Sequence, residues 1–122
     1  MKPEYTKDAV YKTLSEWIES AGVKIIYCSV PSDCIDGEIW ARADRDSRCI
    51  MMPVENDAFP DSWAAACVLG HEMGHILTGL DRPDDERREH NEAVCDAVGV
   101  ALAEFSGMRY ERKCEKRLFG RG

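Results

Sequence analysis

Long apolar runs are missing from this 122-residue chain, and none of its hydrophobic stretches approaches the length of a bilayer-spanning helix. The opening MKPEYTKDAV has no apolar core of the kind a secretory signal carries, so the cytoplasm is the expected compartment and no membrane partner is expected. Cysteine is not scarce, but its spacing contains no C-x-x-C pair. Without a secretory context, Cys28, Cys34, Cys49, Cys67, Cys95 and Cys114 read as reduced, small apolar residues and not as three disulfides. Positive charge is also short. Sixteen Lys and Arg against twenty-three Asp and Glu leave a net −7, which argues against general affinity for nucleic acid. That deficit is uneven: residues 109–122 carry +4 and the remainder −11, and the basic end reads as a solvated helical face.

What is present is an ordinary globular composition, 44% hydrophobic and 32% charged, enough for one domain over residues 1–122 with a single modest core. Val10, Leu14, Trp17 and Ile18 recur at helical spacing between Lys7 and Ser20, and Gly22 ends that helix. Residues 23–30, 38–43 and 48–52 are short runs rich in β-branched, aromatic and other apolar residues, separated by Pro31, Asp36-Gly37 and Asp46-Ser47, and Pro53 stops the last. Three short strands joined by tight turns predict an antiparallel meander. Asp61 or Ser62 then caps a helix that includes Trp63, Ala66, Cys67, Gly70 and Gly74 and stops at Gly79. A further helix is expected from Pro83 to about Phe105, with Ala93, Val94, Ala97, Val98, Val100 and Ala101 on its apolar side. Its Ala and Gly content permits close helix packing. Gly107 should break it, leaving a short basic helix over 108–119. The expected fold is α+β, with its core in about residues 20–105.

Histidine is the scarcest informative residue. Only His71, His75 and His90 occur, and two of them fall in His71-Glu72-Met73-Gly74-His75, an H-E-x-x-H sequence. Residues four apart on a helix share a face, so both imidazoles can reach one metal ion. Glu72 leaves the helix at a flanking angle, where a carboxylate can take a proton from a water activated by that metal. A catalytic zinc takes three protein ligands. Three downstream residues are candidates for the third: Asp81, His90 and Glu92. Asp81 has the spacing of a metzincin ligand, but the glycine that turn uses is displaced to Gly79 and Thr78 stands in its place. His90, two residues before Glu92, points to a different side of the helix.

Asn91-Glu92-Ala93-Val94-Cys95-Asp96 resembles the N-E-x-x-x-D signature of gluzincins, the thermolysin-like zinc peptidases. The resemblance implies Glu92 as the third zinc ligand and Asp96 as the hydrogen-bond partner of the far nitrogen of His71. Glu92 and Asp96, four apart, leave one face of their helix together. The succession of Ser47–Pro53, residues 61–79 with H-E-M-G-H, Glu89-His90-Asn91-Glu92-Ala93 and Asp96 resembles the ImmA/IrrE family of metallopeptidases over roughly residues 20–105. Glu89 and Glu92-Ala93 only approximate that family's E-x-E-A, and the chain is short for it. The resemblance implies a minimal zincin-like domain in a cytoplasmic, phage- or mobile-element-borne peptidase that cuts a helix-turn-helix DNA-binding repressor.

The expected chemistry is zinc-assisted peptide hydrolysis, with His71, His75 and Glu92 on the metal, Glu72 as general base and Asp96 orienting His71. The peptide or protein substrate is expected to lie extended along an edge strand at Arg48–Met52. The competing reading is a zinc-binding regulatory protein of the same fold that does not hydrolyse, although a purely structural metal site needs no Glu72.

Overall fold

Asp8 starts the first helix by accepting hydrogen bonds from the backbone N–H groups of Val10 and Tyr11. In the computed structural model, which describes residues 2–32, 40–79 and 88–119 with side chains as far as Met108, this helix is α1, Ala9–Ser20. It buries Tyr11, Leu14 and Ile18 on one side. Gly22, at φ 85°, turns the chain out of it. A single 3₁₀ turn, Glu4–Lys7, precedes α1 and was not foreseen from the sequence. It seats Tyr5 against Tyr11 and Phe59 in edge-to-face contacts with centroids 5.1 and 5.0 Å apart, and the Tyr5 hydroxyl donates to the Pro53 carbonyl.

The strands are β1 (Lys24–Cys28), β2 (Arg42–Asp44) and β3 (Cys49–Pro53), in the spatial order β1-β3-β2. The antiparallel meander is therefore incorrect. β3 pairs antiparallel with β2 but parallel with β1, so the sheet is mixed. The physical reason lies in burial. β3 is almost wholly apolar and sits in the centre, with Ile50 and Met52 fully buried. Arg42-Ala43-Asp44 alternates polar and apolar residues, which suits an edge. A second correction follows: residues 49–52 belong to the central strand, paired on both sides, so no substrate can pair along them. The second strand is also displaced, to 42–44, and residues 33–39 lie outside those described.

Asp61 caps α2, Ser62–Thr78, accepting from Ala64 N–H at 2.7 Å, and Gly79 closes it in the left-handed conformation at φ 73°. Arg45, in the β2–β3 turn, lies over Gly79 and so places a cation at the helix C-terminus. The sheet packs on α1 and α2, while α3 packs on α1 and α2 and touches no strand among the described residues. The helix carrying H-E-x-x-H is thus sandwiched between sheet and helix. It is buried on both flanks through Ala65, Ala66, Leu69, Gly70, Met73 and Ile76, although Trp63 is exposed.

α3 runs unbroken over Arg88–Phe119, and no separate C-terminal helix exists. Gly107 does not break it because one interior glycine costs a helix only about 1 kcal/mol. Here Gly107 also faces Val10 of α1. The expected start at Pro83 lies outside the described residues. The apolar side of α3 is also corrected. Its buried stripe is Asn91, Cys95, Gly99, Ala103 and Ser106, whereas Ala93, Ala97, Val100 and Ala101 are exposed. Cys28, Cys49, Cys67 and Cys95 are free thiols, as expected. Among the described residues no helix is long and apolar enough to cross a membrane.

Candidate metal centre

α2 places His71 and His75 one turn apart, with ring centroids 4.8 Å apart and their Nε2 atoms separated by 3.1 Å. Gly70 lets the backbone of α3 lie against α2, and the Thr78 hydroxyl donates back to the Gly74 carbonyl at 2.7 Å. A ligand atom from each of His71, Glu72 and His75 falls within 4.8 Å of the others.

α3 brings Glu92 to this pair. Its Oε2 is 2.9 Å from His71 Nε2, and its Oε1 is 3.4 Å from His75 Nε2. One turn further on, Asp96 Oδ1 lies 2.6 Å from His71 Nδ1. Glu92 therefore meets the Nε2 atoms of His71 and His75, while Asp96 takes the opposite nitrogen of the His71 ring. His90 is exposed and enters none of the site's hydrogen bonds. Asp81 lies outside the described residues.

Asp96 accepts when Nδ1 carries the proton, and the tautomer so favoured turns the Nε2 lone pair toward Glu92 and His75. That lone pair faces a carboxylate oxygen at 2.9 Å and a second imidazole nitrogen at 3.1 Å. A proton on one of these nitrogens or a metal cation among the three atoms satisfies such spacings. Tetrahedral zinc with ligands at about 2.0–2.1 Å separates its donor atoms by roughly 3.3 Å. The observed spacings of 2.9, 3.1 and 3.4 Å bracket that value. The donor set fits a divalent metal.

Glu72 differs from Glu92. It is only 6% exposed, and its Oε2 is buried without a hydrogen-bond partner among the described residues. Burial pushes its carboxyl above the usual range, with the imidazoles of His71 and His75 pulling the other way, Glu92 adding to the rise and Arg42 of β2 opposing it. The half-exposed carboxylate thus faces both imidazoles while the buried one keeps an oxygen free.

No protein-family model matches the chain, and no curated protein or solved structure matches it. Sequence reasoning missed one contributor, the close approach of Gly70 on α2 to Gly99 on α3. The glycines were visible as small residues that permit tight packing, but nothing in their spacing says which glycine meets which.

Proposed function

We propose that the protein is a zinc-dependent endopeptidase of gluzincin type. The observation that carries this reading is the convergence of the two Nε2 atoms and the Glu92 carboxylate beside a buried Glu72 oxygen with no partner among the described residues. His71, His75 and Glu92 would hold the metal, and two imidazoles with one carboxylate suit zinc. When bound, zinc supplies Lewis acidity to the scissile carbonyl and makes a neighbouring water acidic near neutral pH. Glu72 accepts the proton on Oε2 and returns it to the departing amine; its raised affinity for a proton favours that relay. Asp96 holds His71 in the tautomer that turns Nε2 toward the ligand cluster. Of the two edge strands among the described residues, β2 is the one that packs on α2, so its outer side is where an extended peptide would pair.

The substrate class rests on the resemblance to ImmA/IrrE metallopeptidases, which implies a helix-turn-helix repressor and a cytoplasmic setting. Metal content and cleavage of the repressor encoded beside this gene, measured for wild type and Glu72→Gln, test the reading. About one zinc per chain is expected in both proteins, with cleavage by wild type alone. Metal in both without cleavage of any protein substrate would favour a silent metal-binding regulator. Wild type purified without chelator and free of metal would overturn both.

A further inference from the structure

α3 and α2 approach backbone to backbone at two glycines, Gly70 and Gly99, the latter one turn beyond Asp96 and two beyond Glu92. A Cβ on Gly99 would stand 2.6 Å from the Cys67 carbonyl oxygen, 2.6 Å from the His71 backbone nitrogen and 3.0 Å from His71 Cα. A Cβ on Gly70 would stand 2.7 Å from the Gly99 oxygen and 2.8 Å from its Cα. Every one of these neighbours is backbone, which no rotamer change can move aside. Gly74, the glycine inside the motif, is different: a Cβ there meets Cys95 and Val98 at 3.4 Å, an ordinary contact. Interior glycines weaken helices, so a pair that meets backbone to backbone calls for a reason.

We infer that Gly70 and Gly99 are positioning residues for the metal centre, fixing how far Glu92 and Asp96 stand from the imidazoles. The inference rests on His71, His75 and Glu92 being the ligands. Glu92 and Asp96 lie seven and three residues before Gly99 on one continuous helix and move with it. Relieving a methyl group at Gly99 requires α3 to retreat by roughly 1 Å to reach ordinary contact distances. The Asp96–His71 separation of 2.6 Å would then leave hydrogen-bonding range. Glu92 would be displaced by several times the tolerance of about 0.2 Å that a metal–ligand bond allows. Gly99 touches neither metal nor substrate; it acts through the two carboxylates.

A double-mutant cycle on zinc affinity, read by competition with a chromophoric chelator, tests this with wild type, Gly99→Ala, Glu92→Gln and the double variant. Gly99→Ala is expected to weaken zinc binding at least about tenfold and to add less than that in the Glu92→Gln background, where only its effect through Asp96 remains. Gly74→Ala is expected to stay within about threefold of wild type. Full additivity of Gly99→Ala and Glu92→Gln would overturn the inference. In the metal-free proteins, ¹⁵N spectra of the histidines supply an independent measurement. Wild type should show His71 protonated at Nδ1 and held by Asp96, and Gly99→Ala should lose that signature. Gly70→Ala approaches the crossing from the other helix and should behave alike. Loss of the fold in both glycine variants would overturn the inference, because the crossing would then serve the fold and not the site. Wild type that binds no zinc would instead overturn the ligand assignment, and the Nδ1 signal would still judge the crossing.

Discussion

His71 divides its two ring nitrogens between two carboxylates, Nδ1 to Asp96 at 2.6 Å and Nε2 to Glu92 at 2.9 Å. Asp96 carries a side chain that is 73% exposed, so its worth lies in fixing a tautomer and not in burial. Asp96→Ala should therefore lower metal affinity by about 10–100-fold and leave the folding midpoint of the metal-free protein nearly unchanged. Isothermal titration with zinc and urea unfolding in chelator check the two halves of that expectation. At this scale much was legible beforehand. Spacing alone places His71 and His75 on one helical face, because that periodicity is local. Glu92 and Asp96 were legible as a pair on one face, and the gluzincin resemblance singled them out, but only the packing of α3 on α2 brings them to His71. The Gly70–Gly99 contact could not be read at all, since the register between two helices is set by their joint surface and not by either sequence alone.

Among the elements, α3 departs most from expectation. Continuity through Gly107 means that this glycine sits in a helix interior, where a Cβ would meet only Val10 Cγ2 at 3.7 Å. Gly107→Ala should stabilise the protein by about 0.5–1 kcal/mol, seen as a higher urea midpoint at unchanged m-value; a loss of stability would show that the helix does not run through. The helix ends at Gly22 and Gly79 and the cap at Asp61 were legible because capping is local chemistry. The strand order was not. Proximity in sequence suggested that β1 pairs with β2, but the long connection after Cys28 leaves β1 free to pair with β3 instead. There the ladder is extended by Lys24 N–H to Arg48 O at 3.0 Å and Val54 N–H to Cys28 O at 2.9 Å. The apolar character of β3 and the polar alternation of Arg42-Ala43-Asp44 were the signals for centre and edge. The exposed Ala93, Ala97 and Val100 show why composition misleads on α3. Small residues occupy both of its sides, and only the glycine contact tells which one is buried.

The whole molecule stacks sheet, helix pair and α3 in three layers, with Tyr5, Tyr11 and Phe59 packed together where the N-terminus crosses the core. Burial raises the phenols of Tyr5 and Tyr11 above their ordinary value, Tyr27 adding to both shifts. Unfolded tyrosine ionises near pH 10, while the buried phenols keep their protons. Their contribution to stability is thus complete below about pH 10 and is lost as the pH rises beyond it, at about 1.4 kcal/mol per pH unit for each phenol. Urea midpoints followed from pH 9 to 11 should fall accordingly, and Tyr11→Phe should fall less steeply; a flat profile would contradict the burial. The layering has another consequence. Among the described residues α3 meets no strand, and sixteen residues separate His75 from Glu92 in the chain. An ion shared by those two side chains would close that stretch into a ring, much as a disulfide does, and a disulfide ring of about 15 residues is worth about 3 kcal/mol of lost chain freedom in the unfolded state. In such a protein the reaction centre would also serve as the clasp of the outermost layer.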